Sequence, residues 1–341
     1  MLDVLETIED WLRAGETVAL ATVVATWGSA PRGAGAKMGV RADMGMVGSV
    51  SGGCVESAVL DTATDVLIDA VPRLLHFGVA DETAWEVGLA CGGKLSVYVE
   101  ALDTAWWQCA SARVRADHPF ATATLLTGAA AGQRLLVDAD GIHYHTPGLP
   151  DAMAAALTAL AHEGIACRTS SLATVGDAQV FVDVYRPRPR LMIVGGAHAA
   201  PALAQMAALL GFRVFVIDPR RAFATVERFP AAEQITHEYP DKALPRLGLT
   251  ADTYIAILTH DPKIDDPALH VALPSAAAYV GILSGKRSHA QRRERLLAGG
   301  LDAALLARLH TPIGLDIGAQ TPEEIALCIL AEIVGVRNGR A

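Results

Sequence analysis

The sequence predicts an α/β protein in two parts: a mixed α+β N-terminal domain, then a Rossmann-like domain built on a doubly wound parallel sheet. Three observations carry this. Up to residue 185, runs rich in β-branched and aromatic residues dominate. At Tyr185-Arg186-Pro187-Arg188-Pro189-Arg190 the prolines fix φ and press the preceding residues into extended conformations, which makes a stiff linker. Beyond it, short apolar strands alternate with helical segments, the pattern of a parallel sheet with crossover helices. The expected boundaries are 1–185, a linker at 186–190, and 191–341, in keeping with about 150 residues per domain.

Residues 1–15 read as a helix with Leu2, Leu5, Ile8, Trp11 and Leu12 on one stripe. Its head is acidic, unlike a secretion signal. Strands are expected at 17–25, 94–100, 120–127 and 179–185, and a hairpin over 134–145 turning on Asp140-Gly141. Helices follow at 54–70, near 106–117 and at 149–163. The first of these repeats Val55, Ala58, Val59, Ala63, Val66, Leu67 and Ala70 at helical spacing. In the second domain, strands fall at 191–194, 213–217, 254–258 and 279–283, with helices at 201–210 and 292–298. Thr321-Pro322-Glu323-Glu324 opens a final helix with a capping box and proline at its first position.

With 52% hydrophobic residues the chain has ample material for packed cores, which excludes general disorder. A net charge of −9 argues against nucleic acid or an anionic membrane surface as partner, because both need a positive field. No apolar run approaches the ~18 residues of a membrane span. The five cysteines, at 54, 91, 109, 167 and 328, form neither a disulfide framework nor a CxxC zinc pattern, so a reducing compartment, the cytoplasm, is expected.

The densest chemistry lies in the first third. Gly28-Ser29-Ala30-Pro31-Arg32 follows a strand, and Gly33, Gly35, Lys37 and Met38 come next. Gly45, Gly48 and Ser51-Gly52-Gly53-Cys54-Val55-Glu56 then lead into the 54–70 helix. Its first turn, at 52–54, would offer free amides and the positive end of the helix dipole to an anion, and would lower the pKa of Cys54. Cys91, beside Gly92 and Gly93, precedes the 94–100 strand in a similar glycine setting. Arg32 and Lys37 could meet a phosphate. Residues alone leave Cys54 and Cys91 evenly poised between reactive thiols and small buried hydrophobes, whereas Cys109, Cys167 and Cys328 read as packing residues in apolar surroundings.

In the second domain, Gly195-Gly196-Ala197-His198-Ala199-Ala200 stands where a dinucleotide fingerprint would. The register gives Gly195-x-Ala197-x-x-Ala200, with a methyl group where backbone should approach a pyrophosphate. Asp218, about 20 residues on, has the spacing of a ribose-binding acid. Loops after successive strands bring Gly195, Gly196, His198, Asp218, His260, Asp261 and 284–287 to one crevice, a nucleotide or pterin-tail pocket. His143 and His145 share a strand face without an evident third zinc ligand. The basic run Lys286, Arg287, Arg292, Arg293 and Arg295 suits an acidic partner, a phosphate or plain solvent. Trp85, Trp106 and Trp107 read as core or interface.

Taken in order, the motifs from Gly28 to Glu56, followed by Cys91-Gly92-Gly93, resemble the N-terminal domain of the XdhC/CoxI family. In the second half Gly211-Phe212, Asp218, Glu227-Arg228-Phe229-Pro230, His260-Asp261-Pro262, Ile313-Gly314-Leu315-Asp316-Ile317-Gly318 and the stretch from Thr321 to Ala326 are similar too, so the resemblance spans nearly the whole chain. The family more often carries glycine where this chain has Ala197. Members are accessory proteins of molybdenum hydroxylases such as xanthine dehydrogenase, aldehyde oxidoreductase and carbon monoxide dehydrogenase. The resemblance implies a non-enzymatic chaperone, homodimeric, that binds the molybdenum cofactor as molybdopterin or its cytosine dinucleotide form. It would assist exchange of an oxo ligand for a terminal sulfur supplied by a cysteine desulfurase, and pass the cofactor to the apoenzyme. On that reading Cys54 and Cys91 meet the molybdenum, while Gly28, Ser29, Arg32, Lys37, Gly52, Gly53, Glu56, Gly92 and Gly93 line the cofactor. An NAD(P)-dependent oxidoreductase and a redox-sensing dithiol protein are the alternatives. Ala197 and the lack of an evident proton-relay pair count against the first.

Overall fold

A computed structural model describes residues 1–28, 32–53, 55–78, 93–284 and 286–340, the side chains of 286–289 excepted. The chain forms two compact units, Met1–Pro187 and Arg188–Ala341. Among the described residues no helix is long and apolar enough to cross a membrane.

In the first unit, α1 (Leu5–Arg13) precedes β1 (Val18–Trp27), β2 (Lys37–Arg41), β3 (Met46–Gly48), α2 (Glu56–Asp69), β4 (Arg73–Phe77) and β5 (Lys94–Ala101). These strands make an antiparallel sheet in the order β3-β2-β1-β5-β4. Next come α3 (Thr104–Arg115), β6 (Phe120–Leu125), β7 (Arg134–Asp138), β8 (Gly141–His145), α4 (Asp151–Cys167), β9 (Ser171–Val175) and β10 (Ala178–Tyr185), with a second antiparallel sheet ordered β8-β7-β6-β10-β9. The period-2 geometry of β1 sorts its residues: Ala19, Ala21 and Val23 pack on Val55 and on Val59, Ala63 and Val66 of α2, while Val18 and Leu20 meet α1 and the two tryptophans of α3. Leu157 and Ala161 of α4 close the far side of the second sheet.

Between the sheets, buried polar pairs sit beside an apolar cluster of Val24, Tyr98, Leu126 and Phe181. Lys37 Nζ donates to Asp183 Oδ2 at 2.8 Å and Thr22 Oγ1 at 3.2 Å, and Arg134 pairs with Glu100. A void of about 20 Å³, the room of one water, adjoins them.

The second unit is a six-stranded parallel sheet of β11 (Arg190–Val194), β12 (Arg213–Ile217), β13 (Gln234–Thr236), β14 (Thr253–Ile257), β15 (Tyr279–Ile282) and β16 (Leu309–His310). Their order, β13-β12-β11-β14-β15-β16, is that of a Rossmann fold. Leu191 and Ile193 face α5 (Ala200–Leu209) and α9 (Pro322–Arg337), while Met192 and Val194 face α6 (Pro240–Leu247), α7 (Pro262–Ala272) and α8 (Lys286–Ala298). The capping box of Thr321 and Glu324 opens α9 as its sequence demands.

Candidate functional site

The described residues among those predicted for the first unit's site lie toward one sheet edge. β1 ends at Trp27, β3 at Gly48 and β4 at Phe77, while β2 starts at Lys37 and β5 at Lys94. Lys94 stands opposite Trp27, Leu95 opposite Phe77 and Gly48 opposite Met38. The connections 28–36, 49–55 and 78–93 therefore all leave from, or return to, that edge. Cys54, Cys91, Ser29 and Gly92 lie outside the described residues, as does Trp85. Gly93 is buried at the threshold of β5.

Glu56 governs the glycine turn. Its Oε1 accepts from Ser49 Oγ (2.7 Å), from the Ser51 and Gly52 amides (2.9 Å each) and from Val50 N (3.3 Å). Its Oε2 accepts from Ser51 Oγ (2.5 Å), Gly53 N (2.8 Å) and Val55 N (3.3 Å). Burial pushes this carboxyl up, but the Ser51 and Ser49 hydroxyls with the Ser51 and Gly53 amides outweigh it and hold Glu56 well below the usual carboxylate range. This corrects the expected anion site. α2 starts at Glu56 rather than at residue 54, and the amides of Gly52 and Gly53 are already spent on the chain's own carboxylate.

Neither expected phosphate cation is free. Arg32 Nη2 bonds Asp3 Oδ2 at 2.5 Å, and Lys37 is buried against Asp183. Gly35 makes that burial possible, because a β-carbon there would come within 2.9 Å of Asp183 Oδ1. Asp183 is 146 positions from Lys37 and no local pattern pairs them. Gly28 (φ 71°) ends β1 with left-handed backbone, and Gly52 (86°) and Gly53 (125°) share it.

The Rossmann crevice is also internally occupied. Asp218, 0% exposed, closes β12 and accepts from Gly196 N at 2.8 Å through Oδ2. Arg220 grips both its oxygens, with Nε to Oδ1 at 2.9 Å and Nη2 to Oδ2 at 2.8 Å, and its own amide reaches Oδ1 at 2.9 Å. Burial raises the Asp218 carboxyl, but Arg220 and the Gly196 amide outweigh it and hold it below the ordinary range. Asp218 is thus no open ribose acceptor. A β-carbon on Gly196 would overlap the Phe223 carbonyl, so the chain after β12 packs closely against the fingerprint turn. Gly195 (φ 100°) packs on Thr259, whose hydroxyl donates to buried Asp265. His198 and His260 are exposed, and Asp261 caps α7 by accepting from Lys263 N at 3.0 Å.

Other candidates resolve into structure. His143 Nε2 sits 2.5 Å from Asp138 Oδ1, and no group of three metal-binding side chains occurs among the described residues. Arg292 pairs with Asp265 and Arg295 with Asp266. Trp106 and Trp107 are core, with Trp106 Nε1 donating to Thr122 Oγ1 at 3.1 Å. Cys328 is buried as expected, but Cys167 is exposed at the end of α4 and Cys109 is half-buried beside the Arg113 guanidinium, so neither is a simple packing residue.

An antiparallel two-sheet unit with glycine connections at one edge, joined to a Rossmann unit with a self-filled fingerprint, defines the class of protein. Residues 191–333 match the XdhC Rossmann domain, and residues 11–78 match the XdhC and CoxI family. The chain belongs to the XdhC and CoxI family. It is 29% identical over 350 residues to a probable xanthine dehydrogenase subunit of Bacillus subtilis (strain 168), covering 99% of this chain and 97% of that one. It is 26% identical over 331 residues to the molybdenum cofactor insertion chaperone PaoD of Escherichia coli (strain K12), covering 96% and 85%. It also matches the uncharacterized protein YqeB of the same strain at 29% identity, covering 94% of this chain but only 43% of that longer protein. A crystal structure described as a xanthine dehydrogenase from Bacillus halodurans superposes with a TM-score of 0.76 at 26% identity, covering 99% and 96%.

Proposed function

We propose that this chain is a maturation factor for a molybdenum hydroxylase of the xanthine dehydrogenase type. It binds the molybdenum cofactor as cargo, keeps it during sulfuration with sulfur from a cysteine desulfurase, and releases it to the apoenzyme. The observation that carries the reading is kinship along 96% of the chain with a protein named as a molybdenum cofactor insertion chaperone. The chain's own chemistry agrees with it. Cys54 and Cys91 are soft donors suited to a sulfur-ligated metal, standing in the sequence between β3 and α2 and between β4 and β5. On this reading the cargo docks on the first unit, two chains associate as a homodimer, and the protein turns over no substrate of its own.

The test is isolation of the chain from cells that make the cofactor, followed by molybdenum analysis and by oxidation of any bound cofactor to its fluorescent pterin, form A. Stoichiometric molybdenum and form A, together with activation of an apo-hydroxylase by the loaded protein, are expected. A chain free of both, and without effect on the apoenzyme, contradicts the proposal.

A further inference from the structure

The sheet edge holds a cluster that the motifs do not reveal. Trp27, the last residue of β1, is 53% exposed, although large aromatics are mostly withdrawn from water. Directly opposite it on β5 stands Lys94, also exposed. Two residues along, Ser96 faces His76 of β4, and His76 Nδ1 lies 2.9 Å from Ser96 Oγ. Cross-strand partners, and residues two apart on one strand, share a face, so indole, ammonium and imidazole project from the same side of three adjacent strands. At about 4.8 Å per strand the cluster spans roughly 10 Å.

Charge singles out this place. Of the first unit's other cations near the edge, Arg32 is matched by Asp3 and Lys37 by Asp183. Lys94 has no carboxylate partner among the described residues, and its stem passes over Gly78, where a β-carbon would come within 3.1 Å of Lys94 Cγ.

We propose that Trp27, Lys94 and His76 form a platform for a planar heteroaromatic ring that bears a phosphate. The ring stacks on the Trp27 indole, Lys94 takes the phosphate, and His76, oriented through Nδ1 by Ser96, presents Nε2 to the polar edge of the ring. The inference rests on the cofactor reading above and names the surface that recognises the organic part of the cargo. It also moves the phosphate contact from Arg32 and Lys37 to Lys94.

The test titrates the purified chain with form A and with form A whose phosphate has been removed enzymatically, following pterin fluorescence anisotropy. Trp27→Ala is expected to weaken both ligands about ten-fold or more, and Trp27→Phe to stay within about three-fold of the unsubstituted chain because a stacking ring remains. Lys94→Ala is expected to weaken form A about five-fold and leave the dephosphorylated pterin unchanged, abolishing the preference for phosphate. Both substituted positions being exposed, thermal melts of the variants should coincide with that of the unsubstituted chain. Undiminished binding of form A by Trp27→Ala and Lys94→Ala overturns the platform. So does failure of the unsubstituted chain to bind form A while it retains molybdenum when isolated from cofactor-producing cells; in both cases the cofactor reading stands. A chain that neither retains molybdenum nor binds form A overturns both.

Discussion

Two glycine turns in this protein look alike in sequence and meet similar fates in structure. Ser51-Gly52-Gly53 in the first unit aims several backbone amides, and Gly195-Gly196 in the second the amide of Gly196, at a point where an external anion could sit, and each finds a carboxylate of the chain itself. The difference lies in what surrounds that carboxylate. Glu56 is satisfied by amides and hydroxyls, whereas Asp218 is clamped by the Arg220 guanidinium. The first arrangement is a rigid turn standing beside an edge that still displays free chemistry. The second ties the fingerprint turn and Arg220 to the acid at the end of β12. A glycine-rich turn therefore identifies a place where amides converge, and only the nearest carboxylate tells whether the place is vacant.

This contrast can be broken by substitution, and the largest effect is expected at Glu56. Glu56→Ala leaves several donors of one buried turn without an acceptor and should cost about 4 kcal/mol in urea unfolding of the first unit. A loss below about 1 kcal/mol would show that the turn does not depend on it. The next effect is one of pH, and its sign separates the units. Because the folded-state pKa of Glu56 is depressed, its stabilisation is present above the unfolded value and fades as pH falls. Asp265 behaves oppositely: burial raises it to about 6 despite Thr259 and Arg292, so ionising it costs stability as pH climbs from about 4 to about 6. Asp265→Asn should flatten that part of the pH–stability curve by roughly 3 kcal/mol; an unchanged curve would remove Asp265 from the account. Gly196→Ala follows, expected to cost about 2 kcal/mol because the Phe223 carbonyl has to move. The smallest expected signal is in calorimetry with NADH, where the self-filled crevice should give a Kd weaker than about 1 mM. Micromolar binding would mean that Arg220 and Phe223 yield to a ligand.

Much of this architecture was legible in the residues. β1, β5, β6 and β10 are rich in β-branched and aromatic residues, and α9 announces itself by Thr321 and Glu324. Weaker elements hid for physical reasons. β3 and β13 are three residues long, β4 mixes Arg73 and His76 with its leucines, and α6 and α7 contain Pro245 and Pro267, which break the usual helical reading. At the site, the clustering of glycines was readable, but their occupancy was not. Arg220, two residues beyond Asp218, was the one hint that the acid is neutralised, and Ser51 with Glu56 at a helix start was the hint that the turn closes on itself. The pairing of Lys37 with Asp183 joins the two sheets of the first unit, and only the fold reveals it. Trp27, Lys94 and His76 belong to no motif and meet only through strand register.

On the proposed reading, cargo is held at the sheet edge of the first unit and not in the crevice of the second. The most direct measurement is molybdenum retained per chain after isolation from cofactor-producing cells, compared between Cys54→Ala or Cys91→Ala and the exposed crevice variants His198→Ala or His260→Ala. Loss of metal in the cysteine variants with full retention in the histidine variants is the result expected, and the reverse pattern would contradict the account.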